Sequence, residues 1–254
     1  MNPLNMDEVR EYVNDNIGNF HSNRLAILKN LKLQTLLKKN PYLFRAKNII
    51  RASELIEGTL SAFLSSSEEK LFGDFLEDLA IFIASKTIDG RKSSSPGMDL
   101  EFTKDDMYYV VSVKSGSNWG NSSQHKKLAQ DFHNAETRLK QSKRIKSIQT
   151  TLGICYGKTK TAYDKDGYLK VVGQNFWTLI SGNKQLYAKI IEPIGYKAKE
   201  HNEEFLTNQA AVINTLTKVF IEKYCDASGI IDWNKVIRDN SGNYDLDKFF
   251  GAKS

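Results

Sequence analysis

Residues 96–116, PGMDLEFTKDDMYYVVSVKSG, decide the fold. MDLEF (98–102) alternates apolar and polar side chains, the period of a half-buried strand. Lys104-Asp105-Asp106 is a turn by composition. MYYVVSVKSG (107–116) is rich in β-branched and aromatic residues and reads as a second strand. Together they make a hairpin. Asp99 and Glu101 stand two apart on the first strand and point to one face, and Ser112 and Lys114 do the same on the second. With the turn at 103–106, Asp99 and Lys114 come to the same open end. Lys114 follows Val110, Val111 and Val113, so it ends a strand that looks buried. A charge there is costly without a partner or a function.

Before the hairpin, residues 68–86 form an amphipathic helix. Leu71, Phe75, Leu79 and Phe82 share one face, joined by Phe72, Leu76 and Ile83. Gly73, Glu77, Ala80 and Ala84 make a second stripe of mostly small residues. Such a stripe lets the helix lie close to a sheet, with Glu77 pointing into what lies there. GRKSSSPG (90–97) is a loop. After the hairpin come a polar loop, SNWGNSS (117–123), and a helix over 124–143 with Leu128, Phe132, Ala135 and Leu139 inward. Strands follow at 148–157 and near 168–172, then a short helix from Phe176 to Ile180. A long helix spans 199–224 on Phe205, Val212, Leu216, Val219 and Phe220, and the tail from Ile230 to Phe250 has mixed character. The first 66 residues read as helical: Leu25, Leu28 and Leu31 recur every three residues, and Asn40-Pro41 breaks the pattern. A second piece from Leu43 to Leu64 is expected to stop at Ser65-Ser66-Ser67, which would cap the next helix. The order helix, strand, strand, helix, strand gives an α/β domain with a mixed sheet and helical additions at both ends.

The bulk composition fits this reading. The 254 residues are 40% hydrophobic and 26% charged, as in ordinary soluble globular proteins. No apolar run approaches the roughly 18 residues of a membrane helix. The N-terminus lacks a secretory pattern. Cys155 and Cys225, the two cysteines, show no CxxC spacing and make no disulfide framework, which suits a cytoplasmic location. The net charge of +6 permits polyanion binding without demanding it. Its distribution says more. Acidic residues cluster at 68–78 and 99–106, whereas Lys126, Lys127, Arg138, Lys140, Lys143, Arg144 and Lys146 dominate the next stretch. A carboxylate cluster beside a basic stretch suits a metal facing a phosphate backbone; the plain alternative is a solvated helix face.

Carboxylates at a strand end bind a hard divalent cation through oxygen. A lysine beside them orients a water or stabilises charge building on a phosphate. Metal-assisted phosphodiester hydrolysis needs this set, and Glu77 can supply a further oxygen. The competing account is a cross-strand ion pair between Asp99 and Lys114 in an unrelated α/β protein. Side chains on opposite faces would establish it.

Pro96-Gly97-Met98-Asp99 followed by Ser112-Val113-Lys114 resembles the core of the PD-(D/E)XK nuclease superfamily. GMDLEF and YYVVSVKSGSNWGNSSQ are similar to a group of type II restriction endonucleases, as are GQNFW, IIEPIGYKAKEHNEEF and GIIDW further on. The likeness covers roughly residues 70–240. It implies a restriction-endonuclease-like mixed sheet flanked by helices. The expected organisation is a helical N-terminal region (1–66), a nuclease core (67–175) and a helical C-terminal region (176–254), continuous with the core, for DNA recognition or dimerisation. It implies a Mg2+-dependent enzyme, with Mn2+ substituting, that cuts both strands of duplex DNA as a homodimer. A cognate DNA methyltransferase is expected as a functional partner. Asp99 then matches the metal-binding aspartate, Lys114 the catalytic lysine, and Glu77 the acidic residue of the first core helix.

Two departures stand out. Gly97 and Met98 separate the proline from Asp99, and Ser112 occupies the position of the motif's second acid. Glu101, Glu77, Asp131 and Glu136 are candidates to replace that carboxylate, so the site is expected among Asp99, Lys114, Glu101, Glu77 and Ser112, with metal on Asp99, Glu101 and Glu77. Asn118, Trp119, Asn121, Gln124, Lys126 and Lys127 are candidates to touch DNA, since asparagine pairs bidentately with adenine. The plain alternative for the asparagines is turn formation, and for Gln124 a polar helix start. His125 and His133 lie two turns apart without a third ligand and read as a surface or phosphate contact, and Lys197, Lys199 and His201, near Tyr196, suit a DNA-facing edge or, more plainly, a solvated helix start. Two other activities fit the same core: a structure-specific repair or recombination nuclease, and a DNA-binding protein whose nuclease centre is degenerate at Ser112.

Overall fold

The computed structural model describes residues 1–116, 118–143, 145 and 147–245, apart from the side chains of Ser142 and Lys143. Of the stretches read above, Ser117, the Lys143 side chain, Arg144, Lys146 and the tail beyond 245 lie outside the described residues. By its internal contacts the chain divides into two units, Met1–His21 with Lys70–Ala198, and Ser22–Glu69 with the chain from Lys199 onward. Two of the boundaries fall inside the long helices α1 (Met6–Lys29) and α4 (Ala52–Ile88), and the third at the first residue of α9 (Ala198–Tyr224).

The first unit is built on the hairpin. β2 (Leu100–Lys104) and β3 (Met107–Gly116) pair antiparallel, with Leu100 opposite Val111 and Lys104 opposite Met107. Asp105 and Asp106 turn the chain at φ 49° and 58°, a left-handed pair that short acidic side chains tolerate and that suits the twist of a two-residue hairpin. From β3 the chain crosses through α5 (Ser122–Lys143) to β4 (Ile148–Tyr156), which lies parallel to β3, with Lys114 beside Ile154. Parallel neighbours require such a crossover. β6 (Leu169–Val172) adds parallel to β4, and two-residue strands β1 (Arg91–Lys92) and β5 (Ala162–Tyr163) close the edges. The sheet order is β1-β2-β3-β4-β6-β5, the mixed sheet expected. The two edge strands were not foreseen.

Each face of the sheet buries one helical layer. Val110, Leu152, Ile154 and Val172 pack against Leu128, Phe132, Ala135 and Leu139 of α5. On the other face Leu100, Phe102, Val111, Val113 and Val171 meet Leu76, Leu79, Ala80 and Ile83 of α4, with Val9, Val13 and Ile17 of α1 behind. Phe176, Trp177 and Ile180 of α6 (Gln174–Ser181) complete this layer. Gly153 has no side chain because the Phe176 ring occupies the space a Cβ would need.

The second unit is helical. The later parts of α1 and the earlier parts of α4 join α2 (Leu33–Leu36), α3 (Pro41–Ala46), α9 (Ala198–Tyr224) and α10 (Trp233–Ser241) around Leu28, Leu36, Ile56, Leu60, Phe205, Phe220 and Tyr224. Asn40 caps α3 by accepting from the amides of Tyr42 and Leu43, and Pro41 takes the first turn, where its missing N–H costs nothing. Short α7 (Leu186–Lys189) and α8 (Ile191–Ile194) belong to the first unit.

One expectation is corrected. The serines at 65–67 end no helix; α4 runs through them for 37 residues. Ser66 and Ser67 turn their hydroxyls back to the carbonyls of Ala62 and Phe63, at 3.1 and 3.0 Å. This back-bonding lets serine sit in a helix interior. Cys155 and Cys225 are buried free thiols. Among the described residues no helix is long and apolar enough to cross a membrane.

Candidate active site

Asp99 stands one residue ahead of β2, its amide donating to Val111 O at 2.9 Å and its carbonyl accepting from Ser93 N at 3.0 Å. The register that sets Leu100 against Val111 carries its side chain to the end of β3. One oxygen, Oδ2, accepts from Val113 N at 2.6 Å, Ser112 Oγ at 3.2 Å and Lys114 Nζ at 3.4 Å. Lys114 also donates to Val113 O at 2.7 Å, and its ammonium lies 5.6 Å from the Trp119 ring centre. The Lys114 and Asp99 side chains keep 26% and 17% of their exposure, enough for a ligand to reach them. The two side chains meet on one face of the hairpin, as an ion pair.

Glu77 approaches from α4. Gly73, one turn earlier, brings the helix close to the strand: a Cβ there would lie 3.7 Å from Ser115 Oγ. The small-residue stripe therefore faces the sheet as read. Burial first, then the Asp99 carboxylate, raises the Glu77 pKa, while Lys114 and Lys92 pull it down. Lys92 Nζ is 4.0 Å from Glu77 Oε1. The same neighbourhood reaches the β4 thiol of Cys155, whose pKa is raised by burial and by Glu77. Asp99, Lys114 and Glu77 thus share one electrostatic environment.

Glu101 has other partners. It is 1% exposed; Oε1 accepts from Ser93 Oγ at 2.7 Å and Oε2 from Tyr108 OH at 2.6 Å, with Arg91 at 3.8 Å. Ser112 is also 1% exposed and donates to Asp99. Asp131 lies against Gly97, whose φ of +77° and lack of a Cβ allow the approach. Glu136 pairs with Lys140 at 2.6 Å. Among the described residues no group of three or more His, Cys, Asp or Glu side chains is arranged to hold a metal ion.

The loop beyond β3 divides into two kinds of residue. Asn121 Oδ1 accepts from the amides of Ser123 and Gln124 at 3.1 and 3.0 Å, and Gln124 Oε1 accepts from Asn121 N at 2.9 Å. This is a reciprocal capping box at the start of α5, and N-x-x-Q spacing is a sequence signal for it. Trp119 packs edge-on to His125 at 5.0 Å, and His125 Nδ1 is 3.3 Å from Tyr168 OH. Burial, then Asp164 and Asp166, pushes the Tyr168 hydroxyl up to about 12, so it stays protonated. Asn118, Lys126 and Lys127 are exposed. His133 is exposed and far down α5 from His125. The sequence carries no signal for Lys92 beside Glu77, for Ser93 and Tyr108 on Glu101, or for the contact by which Arg138, read above only as part of the basic stretch, donates to Ser95 Oγ at 2.6 Å. No pattern in the loop at 90–97 distinguishes Lys92, Ser93 or Ser95.

Residues 7–202 match the family model described as type II restriction endonuclease EcoO109I. No curated protein matches the chain.

Proposed function

The chain belongs to that restriction endonuclease family, and from this premise we propose that it hydrolyses both strands of duplex DNA at a specific site, with Mg2+ held by Asp99 and Glu77. The observation that carries the reading is the convergence of Lys114 on Asp99 at 3.4 Å beside a carboxylate, Glu77, whose pKa is raised by burial and by Asp99. Asp99 and Glu77 are partly buried carboxylates that repel each other electrostatically, and a cation held by them would relieve both the repulsion and the desolvation. The donors are hard oxygens. Mg2+ keeps several waters and uses one or two carboxylates from protein, so this pair fits it, and Mn2+ is expected to substitute. When bound, the cation supplies charge for the phosphoryl oxygens and acidifies a water.

The chain's own groups do the rest. Asp99 Oδ2 and the Val113 carbonyl fix the Lys114 ammonium at the strand end. From there Lys114 faces the reacting phosphate, orienting a water and stabilising the added negative charge. Ser112 takes the place of the motif's second acid and donates to Asp99, which leaves Glu77 as the second carboxylate. Glu101 is assigned a supporting role, because both its oxygens already accept hydroxyl protons at 1% exposure. Asn118 and Trp119 in the loop, with Lys126 and Lys127 on the first turns of α5, are assigned to DNA. Asn121 and Gln124 act through the helix start they cap. A symmetric site calls for a homodimer, and a cognate methyltransferase would protect the host's own sites.

The test is incubation with phage-sized duplex DNA in Mg2+, beside an EDTA control and Lys114→Ala. Discrete fragments absent from both controls are expected. A Mg2+-dependent smear would favour a repair nuclease. Intact unmethylated DNA in every lane would favour a degenerate centre at Ser112.

A further inference from the structure

β3 and β4 are parallel, so their C-termini lie at the same end of the sheet, the end that carries Lys114. The chain leaves β4 there as Gly157-Lys158-Thr159-Lys160-Thr161. Lys158 lies four residues past Ile154, the register partner of Lys114, and so within about 14 Å of chain from it. Tyr156 lies across the end of β3: a Cβ on Gly116 would be 2.6 Å from its hydroxyl oxygen. The segment therefore starts directly beside the candidate active site.

Both of its ends are fastened. At the start, the Gly157 carbonyl packs on the Gly173 backbone, where a Cβ would be 2.6 Å away, and Gly173 N donates to Ile154 O at 2.8 Å. At the finish, Thr161 Oγ1 accepts from Val172 N at 3.3 Å and from Asn175 Nδ2 at 3.1 Å. Lys158, Thr159 and Lys160 between these anchors are all exposed, and neither lysine forms an ion pair among the described residues. β5 then carries the chain away from this end of the sheet before the acidic turn at Asp164 and Asp166. A fixed loop with two uncompensated ammonium groups and a hydroxyl is suited to phosphate oxygens spaced along a strand.

We propose that the loop 157–161 is a phosphate clamp, in which Lys158 and Lys160 hold the DNA backbone flanking the scissile phosphate. The clamp rests on the nuclease reading above. It adds a binding element to the site: Lys114 serves the reacting phosphate, and the loop fixes the register of the strand beside it.

Each phosphate contact contributes about 0.9 to the slope of log affinity against log salt on duplex DNA. The experiment is fluorescence anisotropy of a short labelled duplex in EDTA, titrated with protein over a series of salt concentrations. It compares wild type, the Lys158→Ala/Lys160→Ala double variant, its Lys→Arg counterpart and Lys140→Ala. Lys140 sits near the far end of α5 and pairs with Glu136. The double alanine variant should lose about 1.8 from the slope, the arginine variant should keep it, and Lys140→Ala should leave it unchanged. A wild-type slope in the double alanine variant, or an equal loss per charge in Lys140→Ala, overturns the clamp while leaving the nuclease intact. Failure of wild type to bind duplex DNA would take down the nuclease reading with it.

Discussion

Lys114 Nζ and Asp99 Oδ2 meet at 3.4 Å, and the same Asp99 oxygen takes the Val113 amide at 2.6 Å. The carboxylate thus ties the lysine to the backbone of its own strand. Lys114→Ala removes the positive group at the reacting phosphate and should slow cleavage by at least about 10²-fold, with duplex binding retained. Single-turnover cleavage beside anisotropy separates the two effects. A variant cleaving within tenfold of wild type would remove Lys114 from the chemistry.

Glu77 sets a pH dependence. Its pKa is raised in the folded chain, by burial first and Asp99 second, so between the unfolded and folded values the native state binds more protons. Stability then falls as pH rises through that window and the penalty persists at neutral pH. In EDTA, Glu77→Gln should therefore melt above wild type at pH 7, with the difference closing as pH drops below the ordinary glutamate value. Added Mg2+ should raise the melting temperature of wild type more than that of the variant. Calorimetry at several pH values reads both, and an unchanged melting temperature for Glu77→Gln at pH 7 would count against the crowding of Glu77 by Asp99.

Asn121 and Asn118 should separate cleanly. Asn121 caps α5 through two amides, so Asn121→Ala should cost about 1 kcal/mol and lower the melting temperature by about 2–4 °C. Asn118 is an exposed turn residue. Asn118→Ala should leave melting unchanged and weaken binding to the cleaved sequence about 10-fold, the scale of one base contact. Equal effects of both on melting would assign Asn118 to the loop's architecture.

Glu101 is expected to matter for the fold more than for the metal. Glu101→Ala strands the Ser93 and Tyr108 hydroxyls next to a buried space and should destabilise by about 3 kcal/mol. Glu101→Gln keeps one acceptor and should lose less. The Mg2+ concentration for half-maximal cleavage should stay at the wild-type value in Glu101→Gln and rise in Glu77→Gln. The reverse pattern would make Glu101 the second metal ligand.

Gly97 separates Pro96 from Asp99 by a left-handed turn at φ +77°, and a Cβ there would sit 2.9 Å from Asp131 Oδ2. Gly97→Ala should therefore cost about 1–3 kcal/mol and reduce cleavage by displacing Asp99. Denaturant melts and cleavage rates on the same preparation test both, and a fully active, fully stable variant would show the loop to be unconstrained.

The hairpin was legible because both of its strands carry a period and Asp105-Asp106 marks the turn. From that alone Asp99 and Lys114 could be brought to one end. The stripe of Gly73, Glu77, Ala80 and Ala84 likewise revealed which helix face meets the sheet. What stayed hidden depends on tertiary partners. Two-residue strands such as Arg91–Lys92 have no period to read. The serines at 65–67 carry the composition of a helix end, yet their hydroxyls are satisfied inside α4. Glu101 shares a strand face with Asp99, but that face runs under α5, and only the fold supplies Ser93 and Tyr108 as its partners. Lys158 and Lys160 look like any solvated turn until the parallel pairing of β3 and β4 fixes which end of the sheet they occupy.

The two cysteines have a practical consequence. Both are buried, and burial raises the pKa of each thiol, so little reactive thiolate exists at neutral pH. The folded chain is accordingly a nearly silent background for thiol-directed labelling. A single cysteine introduced on the exposed surface, for example Lys126→Cys on the first turns of α5, would be the one site a maleimide dye finds quickly, and its emission would report the arrival of DNA.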